Sequence, residues 1–416
     1  MTHFAVVAPP LPGHFNPLLV LARELGRRGH RVTFVHMADA ERMVAGKGAD
    51  FFTVARRTHP PGTLDAYLAR LAKPAGPIGL NAMLKATAGL TDMLCNDLPM
   101  ALREIGAEAV IADQTEAAGG LIARHLELPF ISTATALPLN REIGVPPPFV
   151  PWPYDPSEKG LFWNKGGYQI TDFLMRPMSR VLAAQGRTCG LDPFRDGGFS
   201  PRLTVAQMPR GLDFPRRELP ATFHYGSPWR DAATPVAAAA WQRGSDPRPL
   251  VFCSFGTLQG ARADLFRKVA LAARDLGVRL LVAHGGLLSA KAAARLSELC
   301  EVVDFVPQRE VLRQCRAAVL HCGMNTVLDA LAEGVPLVAM PIAFEQPATA
   351  ARLAYAEAAR VVPAAGASRH RLRTALQAAL EDPALAAGAA RLKAQIAGGG
   401  GVSEAADRIE QALAGA

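Results

Sequence analysis

Along the chain, short apolar runs of strand length alternate with stretches whose apolar residues recur at helical spacing. Residues 3–8 form the first such run, residues 16–28 follow as a helix with Leu18, Leu19, Ala22 and Leu25 on one face, and residues 31–36 are the second strand. Further strands are expected at 51–54, 109–112 and 129–133, with room for helices between them. That alternation predicts an α/β fold built on a doubly wound parallel sheet. The rhythm breaks over residues 137–163, rich in proline and aromatic side chains, and again over 209–249, where prolines and charges read as a connector. It resumes at 250–254 and repeats at 279–283, 301–305, 317–320 and 336–340. The chain therefore divides into a first domain (1–222), a linker (223–249), a second domain (250–398) and a final segment (399–416). Four glycines, Gly398 to Gly401, read as a hinge before an amphipathic helix over 403–413, because no strand precedes them as one precedes a phosphate loop.

Where two such sheets meet, ligands bind in the cleft at the carboxyl ends of the strands. Four turns there carry candidate chemistry. His321-Cys-Gly-Met-Asn-Thr326 lies between the strand at 317–320 and a helix marked by Val327, Leu328 and Leu331. A strand-to-helix turn favours an anion through its free N–H groups and helix dipole; His321, Gly323 and Thr326 suit a diphosphate, and Asp329 suits a ribose diol. Glu345 and Gln346 sit on the next such turn and can hold hydroxyls. Ser254-Phe-Gly256-Thr257 offers a glycine and a hydroxyl at a strand end. Gly13 and His14 stand where the first strand gives way to the first helix, and a neutral imidazole there can take a proton from an attacking hydroxyl. Asp113, at the end of the strand 109–112, can hold that imidazole. Each position also has a plainer reading: a capping or core histidine for His14, a helix N-cap for Asp113, and ordinary buried turns elsewhere.

In its order and spacing the set resembles the nucleotide-sugar signature of the UDP-glycosyltransferase family. The matching residues are Phe305-Val306-Pro-Gln308, His321 through Thr326, Asp329 and Glu345-Gln346. The wording His-Cys-Gly-Met-Asn-Thr, and the run Gln-Pro-Ala-Thr-Ala-Ala-Arg from Gln346, are most similar to the bacterial branch that glucosylates carotenoids such as zeaxanthin. The resemblance implies a GT-B architecture, two facing Rossmann-like domains with the last helix crossing back to the first. It further implies a UDP-sugar co-substrate with no separate cofactor, His14 as base and Asp113 behind it. Donor contacts are implied from Gly13, Gly256, Thr257, Phe305, Val306, Gln308, Met324 and Asn325 besides those named above. Phe305 stands where plant members place a tryptophan on the uracil, Met324 replaces another tryptophan near the sugar, and Glu345 replaces an aspartate. Glucose is the expected sugar.

Composition narrows the remaining choices. With 416 residues, 50% hydrophobic and 20% charged, the chain has material for two cores. Its net charge of +8 comes without any run of Lys or Arg longer than two. That excludes a nucleic-acid footprint and suits an anionic donor, or loose attachment to an anionic membrane surface. No apolar stretch has membrane-spanning length and no signal-peptide pattern opens the chain, so cytoplasmic residence is expected. The six cysteines show neither disulfide nor zinc spacing, and no Asp-x-Asp pair occurs, so metal-independent, inverting transfer is expected. Residues 145–154, with Leu161, Phe162 and Trp163 after them, gather large apolar groups on a proline-dense stretch. Phe149 and Trp152 there are candidates for holding a lipophilic hydroxylated acceptor: a carotenoid, or alternatively a polyketide, macrolide or hydroxylated lipid. A satellite core is the other reading. An epimerase or a non-catalytic activator of a partner enzyme also fits the scaffold, but the first lacks a need for acceptor space and the second a need for His14.

Overall fold

A computed structural model describes residues 1–72, 76–231, 241 and 244–415. Seven parallel strands form the first sheet: β1 (His3–Val7), β2 (Arg31–Met37), β3 (Asp50–Val54), β4 (Ala109–Asp113), β5 (Phe130–Ala134), β6 (Thr204–Ala206) and β7 (Phe223–Tyr225), in spatial order β3-β2-β1-β4-β5-β6-β7. Six more form the second: β8 (Leu250–Ser254), β9 (Arg279–Ala283), β10 (Glu301–Val303), β11 (Ala317–Leu320), β12 (Leu337–Ala339) and β13 (Ala359–Val361), in order β10-β9-β8-β11-β12-β13. Every pairing is parallel, with Phe4 opposite Val32 and Ala109 in the first sheet and Phe252 opposite Leu281 and Ala318 in the second. Helices cover both faces of such a sheet, so its central strands are apolar throughout rather than alternating, and every residue of β1 and β8 is buried.

The helices that shape the site are α1 (Pro12–Arg27), α2 (Gly76–Glu104), α3 (Ala117–His125), α4 (Glu158–Leu174), α5 (Arg176–Cys189), α6 (Met324–Ala332), α7 (Gln346–Tyr355), α8 (Pro383–Gly398) and α9 (Gly401–Ala414). Proline at the first position of α1 leaves no orphaned N–H there, and Leu18, Leu19, Leu21, Ala22 and Leu25 bury against the sheet. After the bend at Gly399 and Gly400, α9 returns to the first domain. There Ala405, Ala406 and Ile409 join its core, while Arg28 and His30 bond Glu410 at 2.7 and 2.9 Å.

Three readings of the sequence change. Residues 223–225 pair with β6 as the last strand of the first sheet, and Trp229 is wholly buried in the first core, so the first domain runs past residue 222. Strands of three residues among prolines carry too little pattern to stand out; much of the expected linker, 232–240 and 242–243, lies outside the described residues. Leu161, Phe162 and Trp163 belong to α4, whose start is capped by Ser157 accepting from the Gly160 N–H at 3.3 Å. And α3 takes its cap from Glu116, which accepts from Ala118 N–H at 3.2 Å, so Asp113 is not an N-cap.

Candidate active site

Between the two sheets lies a cavity of about 1650 Å³. Every candidate residue except Asp113 lines it, and Asp113 stands directly behind His14.

His14 is the third residue of α1, on the turn leaving β1. Its Nδ1 lies 3.1 Å from Asp113 Oδ2 and 2.8 Å from the Thr135 hydroxyl. Asp113, 1% exposed, also accepts from Thr135 Oγ1 at 2.5 Å, from the Thr115 N–H at 2.9 Å and from the Thr115 hydroxyl. With Nδ1 held by the carboxylate, Nε2 has no partner among the described residues and is the nitrogen available to a ligand. Burial by itself would lower the imidazole pKa; the charge and hydrogen bond of Asp113 outweigh it, with help from Glu345, and hold it above its ordinary value. Burial would likewise raise the Asp113 carboxyl, but His14, Thr115 and Thr135 hold it below the usual range. In such a pair the positive charge of an imidazolium formed by a proton at Nε2 is met by the Asp113 carboxylate behind it.

Across the cavity, β11 leads into the turn at His321. The imidazole is wedged between two glycines: a Cβ on Gly256 would come within 2.8 Å of its Nε2, and one on Gly323 within 2.4 Å. Both glycines are therefore required by the histidine ring itself. Burial pushes the His321 pKa down to about 4, so the ring is neutral at working pH and offers an N–H rather than a charge. Its Nδ1 is buried without a hydrogen-bond partner. The start of α6, with its free N–H groups, and Thr257 and Thr326 line the same space.

Phe305 is 57% exposed and stands over Gly286, a flat apolar platform for a base, flanked by the buried Val306. Asp329 already accepts from Arg230 Nε and from Gln308 Nε2, both at 2.7 Å, so a ribose diol would bond to the remaining lone pairs of a carboxylate fixed in place. Met324 is 4% exposed and packs in the second core, so little more than its edge reaches the cavity. Gln346 uses its Oε1 to brace the loop before it, accepting from the Ile342 and Ala343 N–H groups at 2.9 Å each. Only its amide nitrogen remains for a sugar. Burial raises the Glu345 carboxyl above its ordinary range, and the nearby His14 opposes this only in part.

The third wall is apolar. Leu80, Met83 and Leu84 from α2, Ile170 and Leu174 from α4, and Phe149 and Trp152 from the proline-rich stretch all line it. Phe149 is 44% exposed. Trp152 lies against α4 at Gly167, where a Cβ would come within 2.6 Å of the indole, so this residue is wall and packing at once.

Residues 203–394 match the family model described as UDP-glucoronosyl and UDP-glucosyl transferase. Over 99% of its length the chain is 38% identical to a zeaxanthin glucosyltransferase of Pantoea ananas, covering 96% of that protein. It is equally 38% identical, over all of its length and 99% of the relative's, to a zeaxanthin glucosyltransferase of Pseudescherichia vulneris. The chain belongs to the UDP-glycosyltransferase family. Its fold is GT-B: the glycotransferase of kitacinnamycin superposes with a TM-score of 0.77, at 23% identity, over 99% of this chain and 98% of that one.

The cleft of this UDP-glycosyltransferase also brings in residues that the motifs do not contain. Arg230 reaches from the first domain to Asp329 and to the carbonyl of Asn325, the latter at 3.0 Å. Gln207 bonds the Thr135 carbonyl at 2.6 Å and Asn325 Oδ1 at 3.0 Å. Asn325 in turn donates to the Gly13 carbonyl. Thr135, just past β5, completes the setting of His14. A hydroxyl at a strand end was the only sequence signal for Thr135. Arg230 and Gln207 had none, since each acts on residues about a hundred positions away. A second bridge between the domains is wholly buried: Arg352 of α7 meets Asp213 at 2.7 Å and lies over Phe214.

Proposed function

We propose that this enzyme moves glucose from UDP-glucose to a hydroxyl of a lipophilic terpenoid, zeaxanthin or a close chemical relative, with inversion and without a metal. The observation that carries the reading is one cavity holding the His14–Asp113 pair, the N–H-rich turn at His321 and an apolar third wall. The near full-length similarity to two zeaxanthin glucosyltransferases supports the acceptor class.

In this reading the diphosphate lies on the N-terminus of α6, with His321, Thr257 and Thr326 donating, and Phe305 covers the uracil. Glu345 and the Gln346 amide hold sugar hydroxyls. The acceptor hydroxyl bonds to Nε2 of His14. As the oxygen attacks the anomeric carbon from the face opposite the phosphate, its proton passes to Nε2 and the imidazolium is held by Asp113. The bond to the phosphate oxygen breaks, and UDP departs with its new charge met by N–H donors and the helix dipole. An α-linked donor thus gives a β-glycoside.

The test is incubation with UDP-glucose and zeaxanthin in detergent, with a chelator present, followed by UDP release and by NMR of the product. Release of UDP with a β-glucoside is the expected result. An α-glucoside would overturn inversion, chelator sensitivity would overturn metal independence, and transfer to a macrolide but not to the terpenoid would overturn the acceptor.

A further inference from the structure

Helix α4 is inside out. Its inward face carries Gly160, Asn164, Gly167 and Tyr168, all buried. Asn164 and Tyr168 bond the carbonyls of Ile143 and Val145 at 2.9 and 3.1 Å, and the two glycines admit Asp155 and Trp152. The apolar residues point the other way: Phe162 is 72% exposed, Ile170 61%, Phe173 59% and Trp163 55%. At helical spacing these fall on one side. A water-facing helix normally places its apolar stripe on the core, and a contiguous exposed patch of this kind marks an interaction surface.

Two observations say what covers it. The patch runs without a break into the apolar wall of the active-site cavity, because Ile170 and Leu174 belong to both. Its rim is basic: Lys159, Lys165, Arg176 and Arg180 are exposed around it, and Arg176 lies 4.4 Å over the Phe173 ring. Of the two acidic residues on α4, Asp172 is already paired with Arg141 at 2.8 Å. A second copy seated by two-fold symmetry would set this basic rim against itself. An anionic bilayer meets both the apolar face and the charge.

We propose that α4 lies in the interface of a membrane containing anionic lipid, with the cavity mouth at the membrane surface, so that an acceptor passes from lipid into the site without crossing water. This rests on the acceptor being a bilayer-held lipophile, as proposed above.

Flotation of the full chain with vesicles of phosphatidylglycerol and phosphatidylethanolamine, and separately of phosphatidylcholine, tests it. The chain is expected to float with the anionic vesicles, and Phe162→Asp with Phe173→Asp to lower the bound fraction by about ten-fold or more. The variant should still glucosylate zeaxanthin in detergent, while turnover of zeaxanthin embedded in vesicles falls. Lys159→Gln with Lys165→Gln, which alters two exposed side chains, gives a second reading should the first variant misfold: it should weaken anionic binding and leave detergent turnover alone. Absence of binding to anionic vesicles, or binding untouched by both variants, overturns the proposal, as does a dimer in sedimentation that Phe162→Asp dissociates. Transfer in detergent without vesicle binding would refute this surface and leave the proposed function standing; vesicle binding without transfer would do the reverse.

Discussion

The side-chain amide of Asn325 donates from Nδ2 to the carbonyl oxygen of Gly13 at 2.8 Å, joining the first turn of the donor helix to the residue before His14. Gln207 and Arg230 occupy its Oδ1 at 3.0 and 3.3 Å. Asn325 therefore spans the cleft, and its amide is committed to protein before any ligand arrives. The turn at His321 and the turn at His14 are one connected unit.

Asn325→Ala removes the donation to Gly13 and adds no charge beside the turn at His321. Loss of one such bond corresponds to about ten-fold in rate when it positions a reacting group. Turnover should fall by about that much, with UDP affinity changed by less than about three-fold. Calorimetry with UDP beside steady-state rates separates the two, and equal losses in both would make Asn325 a plain donor contact.

Asp113 sets the pH dependence. A raised His14 pKa means the imidazole is protonated, and so unable to accept, until pH rises through that value; kcat/KM should therefore climb with pH along an acidic limb. Asp113→Asn removes the charge that raises it. The limb should move to lower pH while the plateau rate drops, because the tautomer is no longer held. A pH profile of both enzymes checks this, and an unmoved limb would assign it to another group.

Gly323→Ala places a Cβ only 2.4 Å from His321 Nε2. The ring must leave its slot. UDP affinity should fall by about ten-fold or more, as for His321→Ala, since a buried donor worth about 1–3 kcal/mol is misplaced. Thermal melting should shift far less than binding. Unchanged UDP affinity would remove His321 from the donor site.

Phe149→Ser and Trp152→Ser should behave differently. Phe149 is half exposed and lines the cavity, so its loss should raise the KM for a lipophilic acceptor with little change in melting temperature. Trp152 also packs on Gly167 and stacks edge-on with Trp163, so its loss should lower stability as well. Acceptor KM values and melting curves for the two variants report this directly. Unaltered acceptor kinetics in both would return the stretch to a purely packing role.

The strand-to-helix turn at His321 was legible in the sequence because it is local: strand, glycine, polar cluster and helix follow one another within the 15 residues from 317 to 331. The central strands were legible because burial on both faces makes them uniformly apolar. The three-residue strands β6 and β7 were not, and neither was α4, whose Ser157-Glu158 start follows a proline-dense run and whose apolar face looks outward. Least visible were Thr135, Gln207 and Arg230. Nothing around them is patterned; their roles exist only once β5, the 207–230 segment and α6 meet at the cleft.

The most direct measurement is the rate of glucosyl transfer by His14→Ala together with its affinity for UDP-glucose. If His14 takes the acceptor proton, transfer should fall by about two to four orders of magnitude while donor affinity stays within about three-fold. Near-normal turnover, or a loss confined to donor binding, would contradict a base at this position.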